Sequence, residues 1–252
     1  MNLNIPDTRQ QALAKRLDQG SQLIAQELAL EFDVSLDTIR RDILALEANG
    51  KARRVRGGAV PISKPVSPML ERLASDHGVN QAIIDATLAQ IAHTPTLLVD
   101  GGTTTLAIIS QLPKLDQRLV ITPSPWIAIA AQERGSDVHL LGGSLSTSGG
   151  ITTGNPALSS IVDIAVDIAL LGVCGLDAEF GLSADDFAEM QMKQAMHRAA
   201  QRTIVATERS KLNTKARHRT LAIDQIDLII TDAAPEQISP YELVDTEFKL
   251  VR

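Results

Sequence analysis

Aromatic residues are scarce in this sequence: Phe, Tyr and Trp make up 2% of its 252 positions, with four Phe, one Tyr and one Trp. Few rings remain to stack on unpaired bases, which argues against recognition of single strands or RNA on aromatic platforms. The core must instead be built from Ala, Ile, Leu and Val. Cysteine is rarer still. Cys174 stands alone, cannot close an internal disulfide, and has no Cys/His partners at zinc-binding spacing. In its apolar run it reads as a small buried hydrophobe. No metal site and no cofactor are expected. No apolar run approaches the roughly 20 residues that cross a bilayer, and the polar stretch 1–11 lacks the apolar segment of a secretion signal. No membrane partner is expected, and the expected compartment is the cytoplasm.

What is present is a globular composition, 44% apolar and 21% charged, over a length that suits one small and one medium domain. The formal net charge of -6 conceals an asymmetry. Residues 1–64 hold ten Lys/Arg against eight Asp/Glu, about +2, so the remainder carries about -8. Six of those ten basic residues lie between Arg40 and Arg56, opposed there only by Asp42 and Glu47. A local basic stripe on an acidic protein suggests one face meant for a polyanion.

The first sixty residues read as three helices and a hairpin. Residues 8–18 carry Ala12, Leu13, Arg16 and Leu17 at helical spacing, with Gly20 as a stop. Residues 22–32 place Leu23, Ile24, Leu28 and Phe32 on one side, predicting a second short helix. Ser35 is a good N-cap for a third helix running to about Asn49, with Asp37 in its first turn and Gly50 as its stop. Ile39, Ile43 and Leu46 should face inward, leaving Thr38 and Arg40 outward. Residues 51–60, KARRVRGGAV, read as two short strands around Gly57-Gly58. This order is the winged helix-turn-helix plan. The front of the third helix then offers Ser35, Thr38, Arg40 and Arg41 to base edges or phosphates. The wing offers Lys51, Arg53, Arg54 and Arg56 to phosphates. Two glycines at its tip would let the wing backbone approach the DNA backbone. Asp42 should pair with an Arg within the protein, since phosphate would repel it. Residues 61–69 hold three prolines and two serines and read as a linker.

Beyond residue 82 the pattern changes. Unalternated apolar runs at 96–100, 118–122, 138–143, 167–175, 202–207 and 228–232 read as strands covered on both faces. Residues 82–92, 103–112, 125–133 and 185–201 read as helices between them. The order predicts a doubly wound, mostly parallel α/β domain. The expected boundaries are 1–60 for the winged helix-turn-helix, 61–75 for the linker and 76–252 for an α/β domain that senses an effector and assembles copies. LLVDGGTTT (97–105) is a strand ending in a Gly/Thr turn that opens a helix, suited to a phosphate on a small ligand. Three further strand ends, Thr122-Pro123-Ser124, Gly142-Gly143 and Gly172 to Asp177, could rim the same pocket. Lys211, after a fourth, could add a point charge for phosphate.

VSLDTIRRDILALEANGKARRVRGGAV (34–60) resembles the signature of DeoR-family repressors, on Val34, Ser35, the Thr38-Ile39-Arg40-Arg41-Asp42 run, Leu46-Glu47, Gly50, Arg54 and Gly57-Gly58-Ala59. The likeness extends along the chain. Asp100, Gly101, Gly102, Thr103, Thr104 and Thr105 match that family's phosphate loop. Gly142-Gly143 matches its double glycine, Gly175-Leu176-Asp177 its Gly-Ile-Asp segment, and Ser210-Lys211 its Ser-Lys segment. Lys193 matches a recurrent basic position. Pro123, Glu208 and Gln81 depart from the family's usual Asn, Asp and Lys. The resemblance implies an isomerase-like sensor fold, a double-stranded operator as partner, a phosphorylated sugar or related metabolite as effector, and a homodimer or homotetramer. A sugar-phosphate isomerase is the enzymatic alternative, with Asp100, Asp177 and Glu189 as available acids. The sequence has no Lys-Gly-rich catalytic segment, so no enzyme is expected. A ligand-free structural DNA-binding protein is the third reading, and the size of the second domain speaks against it.

Overall fold

The apolar spacing of the first fifty residues yields three helices in the computed structural model of the chain, which describes residues 5–18, 23–55, 57–61, 67–75, 78–241 and 246–252. The chain divides into two units. Met1–Lys64 with Ser210–Thr214 forms one, and Pro65–Arg209 with Lys215–Arg252 forms the other.

In the first unit α1 spans Pro6–Asp18, β1 Leu23–Ile24, α2 Ala25–Glu31 and α3 Leu36–Ala48, followed by β2, Ala52–Val55, and β3, Gly58–Pro61. Leu13, Leu17, Leu28, Phe32, Ile39, Ile43 and Leu46 close one core, as the helical spacing requires. The Ser35 hydroxyl accepts from the Thr38 amide at 3.1 Å, so α3 starts at the expected cap. Asp42 is buried and accepts from Arg9 Nε and from Gln10 Nε2 (3.0 Å). The second helix differs from expectation. It begins at Ala25, because Leu23 and Ile24 pair antiparallel with Ala59 and Gly58 and make the wing a three-stranded sheet. That pairing also gives Gly58 a different task from the one expected. A Cβ there would stand 1.7 Å from the Leu23 carbonyl oxygen, so Gly58 is needed to admit β1.

The second unit opens with α4 (Met69–Ala74) and α5 (Gln81–Ile91). Then follow β4 (Thr96–Val99), α6 (Thr103–Ile109), β5 (Leu119–Thr122), α7 (Pro125–Glu133) and β6 (Asp137–Leu140). An excursion carries β7 (Ser144–Leu145), β8 (Thr152–Thr153) and α8 (Asn155–Ile161) before β9 (Val166–Leu171). The chain continues as β10 (Gly175–Asp177), β11 (Gly181–Ala184), α9 (Phe187–Ala199), β12 (Ala200–Thr207), β13 (His218–Leu221), β14 (Leu228–Thr231), α10 (Pro235–Ile238) and β15 (Glu247–Leu250). Seven strands form one sheet in the order β15-β14-β12-β9-β4-β5-β6, every neighbouring pair parallel. The fold is α/β and doubly wound. Leu97, Val99, Val120, Ile168, Leu170, Ile204 and Ile230 pack against α5, α6 and α7 on one face, and α9 lies against β9 and β12. Burial on both faces is why these strands read as unbroken apolar runs.

Three expectations need correction. The run 167–175 is not one strand: it breaks after Leu171 and resumes at Gly175 in a separate antiparallel sheet with β11 and β13. The stretch 61–75, expected as linker, ends in α4, whose Met69 is 1% exposed. Its prolines misled because they precede the helix, and Pro68 stands at the N-cap. Residues 62–66 lie outside the described residues. Finally, β7, β8, α8, β11, β13, α10 and β15 went unread, being short and carrying little apolar periodicity.

Candidate nucleic-acid interface and sensor site

Helix α3 presents Asp37, Arg40, Arg41, Leu44 and Ala48 outward, the complement of its buried Ile39, Ile43 and Leu46. Arg40 Nη1 sits 3.2 Å from Asp37 Oδ1, and the Thr38 and Ser35 hydroxyls share a bond of 2.8 Å. The wing brings Lys51, Arg53 and Arg54 to the surface of the same unit. Arg54 lies 3.6 Å from Glu47, which also accepts from the Arg54 amide at 3.2 Å. Arg41, Lys51 and Arg53 make no ion pair among the described residues, so their charge is uncompensated. Arg56 lies outside the described residues.

In the second unit the order of the sheet locates a crevice. Strands β4, β5 and β6 run to one edge and β9, β12, β14 and β15 to the other, so the winding reverses between β4 and β9. Asp100 follows β4 and Gly172 follows β9 at that point. Asp100 Oδ2 accepts from the Gly172 amide at 3.0 Å and from the Lys193 ammonium, which also donates to the Gly172 carbonyl at 3.0 Å. Lys193 is buried. Burial alone would depress its pKa, yet Asp100, with Cys174 and Glu189 adding, outweighs that and holds it above the usual lysine value. One turn earlier on α9, Glu189 accepts from Ser146 Oγ at 2.9 Å and from the Gly149 amide at 2.7 Å. Burial pushes its carboxyl upward, against the opposing pull of Lys193. Burial likewise raises the Cys174 thiol.

The Gly/Thr turn is ordered by its own bonds: Gly102 takes φ +142°, and Thr105 Oγ1 donates to the Gly102 carbonyl at 3.0 Å. Thr103 and Thr104 open α6 and stay partly exposed. Ser124 caps no amide with its side chain and is fully buried. Gly101 is hemmed in: a Cβ there would stand 2.4 Å from Ile151 Cγ2 and 3.5 Å from Ser124 Cβ. The structure thus brings together Asp100 to Thr105, Ser124 and Lys193. Gly142 and Gly143 are exposed and open the excursion between β6 and β7. Asp177 is engaged elsewhere, accepting from the Glu179 and Phe180 amides and pairing with Lys215 at 3.2 Å. Lys211 lies in the short turn Arg209–Lys211, within the stretch 210–214 that partitions with the first unit. Arg72, Ser146, Gly149 and, as a pocket residue, Glu189 were missed. Only the i, i+4 spacing of Glu189 and Lys193 on one helix signalled any of them.

A winged helix-turn-helix with an uncompensated basic face, joined to an α/β unit with charged groups gathered at its switch point, defines a ligand-responsive transcription regulator. Residues 9–65 match the DeoR-like helix-turn-helix domain, and residues 77–233 match the DeoR C-terminal sensor domain. The chain belongs to the DeoR family. It is 28% identical over 241 residues to the HTH-type transcriptional regulator GlpR of Haloferax volcanii, covering 95% of this chain and 94% of that one. It is 29% identical over 245 residues to the glycerol-3-phosphate regulon repressor of Haemophilus influenzae, covering 96% and 95%. A D-ribose-5-phosphate isomerase structure aligns with 52% of each chain at 18% identity and a TM-score of 0.38. The relatives are regulators, and this chain is a regulator rather than an enzyme. No helix among the described residues is long and apolar enough to cross a membrane.

Proposed function

We propose that the chain is a cytoplasmic repressor of a carbohydrate-metabolism operon, released from its operator by a phosphorylated metabolite. The observation that carries this reading is Arg40 and Arg41 standing exposed on the outer face of a capped helix, in one unit with the exposed Lys51, Arg53 and Arg54. In this reading Arg40, Arg41, Thr38 and Ser35 meet the major groove. Lys51, Arg53, Arg54 and Arg56 neutralise phosphates beside it. The effector lies at the β4/β9 switch point against Asp100, Gly101, Gly102, Thr103, Thr104, Thr105, Ser124 and Lys193. Gly142, Gly143 and Asp177 belong to the same proposed rim. Two or four copies present paired recognition helices to successive grooves. The effector favours a state whose helix spacing no longer fits the operator.

The relatives' names make sn-glycerol 3-phosphate the first probe. A thermal-shift screen of triose, pentose and hexose phosphates should find a compound that raises the melting temperature, since a ligand of the folded state stabilises it by mass action. Thr104→Val should abolish that shift and leave operator binding unchanged. A full shift in the variant would remove the Gly/Thr turn from the site.

A further inference from the structure

The loop 146–151 is gripped from both sides. From α4, the Met69 amide donates to the Thr147 carbonyl at 3.0 Å, and Arg72 Nη2 donates to the Ser148 carbonyl at 2.9 Å. From α9, Glu189 holds Ser146 and the Gly149 amide. The same loop abuts the Gly/Thr turn: a Cβ on Gly101 would stand 3.1 Å from the Gly149 carbonyl oxygen. Arg72 and Ser124 therefore flank one short loop beside the switch point.

Each of them carries a buried polar atom with no hydrogen-bond partner among the described residues, Arg72 Nε and Ser124 Oγ. Buried donors are almost always satisfied, so two orphans flanking one loop call for a reason; the third such atom among the described residues, Thr220 Oγ1, is on β13. The charge balance supplies it. Asp100 is spent on Lys193 and the Gly172 amide, and Glu189 on Ser146 and Gly149. Among the described residues no carboxylate forms an ion pair with Arg72. Its guanidinium is already depressed by burial, with Cys174, Glu189 and Asp100 only partly offsetting that.

We propose that Arg72 is a further effector-binding residue, which together with Ser124 takes an oxygen of the ligand's phosphoryl group, facing the Gly101–Thr103 turn. The assignment rests on the effector reading above and adds one residue to it, Arg72. A guanidinium is suited to this, because it can bond the phosphoryl oxygen through Nε while Nη2 keeps the Ser148 carbonyl.

The test is calorimetry on the full chain with the same sugar-phosphate panel and the unphosphorylated counterpart of each compound. For any compound that binds the parent, Arg72→Gln and Ser124→Ala should each cut affinity about tenfold or more. Preference for the phosphorylated form should shrink to match. Ser124→Ala should melt no lower than the parent without ligand, since its hydroxyl has no partner to lose; a purely structural serine would lower it. Parent-like affinity in Arg72→Gln would overturn the proposal and leave the effector reading standing. Should no compound bind the parent, both fall together. If Arg72→Gln fails to fold, Arg72→Lys, which keeps the positive charge but has no Nε donor, takes its place and should show the same loss.

Discussion

His197 shows how a single side chain ties burial to pH. Its Nδ1 lies 2.8 Å from Thr203 Oγ1 on the adjoining strand β12. Burial lowers its pKa below the ordinary 6.5, and Arg198 adds to that against the pull of Asp227. A histidine depressed in the folded state is protonated first in the unfolded chain. Its contribution is therefore complete above the unfolded value and is lost as pH falls through 6.5 toward the folded pKa. Urea unfolding at pH 7.5 and 5.5 should show the parent losing stability relative to His197→Gln over that window. Glu189, raised by burial, acts with the opposite sign in acid but is common to both proteins, so the difference isolates His197. A gap that does not change with pH would refute the assignment. At this scale much was legible. Asp42, inside a basic run, was expected to pair with an Arg within the protein, and Arg9 and Gln10 hold it. Arg72 was not legible, because nothing in a proline-bounded segment says which carbonyl an arginine will meet.

Among the elements, the wing is where local pattern and tertiary pairing diverge. Leu23 and Ile24 fit a helix by spacing, yet their backbone amides and carbonyls complete the sheet with Gly58 and Ala59. Gly58→Ala should expel β1 from that sheet, given the 1.7 Å approach of the Leu23 oxygen to the new methyl. Hydrogen exchange at the paired amides should rise by about tenfold or more, the response to losing roughly 1.4 kcal/mol of local protection. Operator affinity should fall as the wing loses its orientation. Unchanged exchange would mean that β1 bends aside at no cost. Helix α3, by contrast, was read in full, because its cap, stripe and stop are all local.

For the whole molecule the question is how a chain of net charge -6 binds a polyanion. The answer lies in segregation: the uncompensated cations Arg41, Lys51 and Arg53 belong to the smaller unit. Binding carried by such contacts releases counterions. Raising salt from 50 to 200 mM should weaken operator affinity by about 10³–10⁵-fold if a dimer neutralises 6–10 phosphates. Arg53→Ala should flatten the salt slope by about one unit per lost phosphate contact. Fluorescence anisotropy across a salt series measures both, and a slope near zero would exclude phosphate contact by this face.

By itself the sequence determined the three-helix order, the basic stripe from Arg40 to Arg56 and the parallel character of the sheet. Each follows from near neighbours: caps and stops act within a turn, and apolar runs report burial wherever the strand ends up. Tertiary structure decided the rest. Only the strand order put Asp100 beside Gly172 at the reversal of winding, and only the packing of α4 and α9 against one loop brought Arg72, Ser124 and Glu189 near it. Those residues are 117 positions apart at their extremes, 72 to 189. Contacts across such separations are set by how layers stack, a long-range property that no local periodicity encodes.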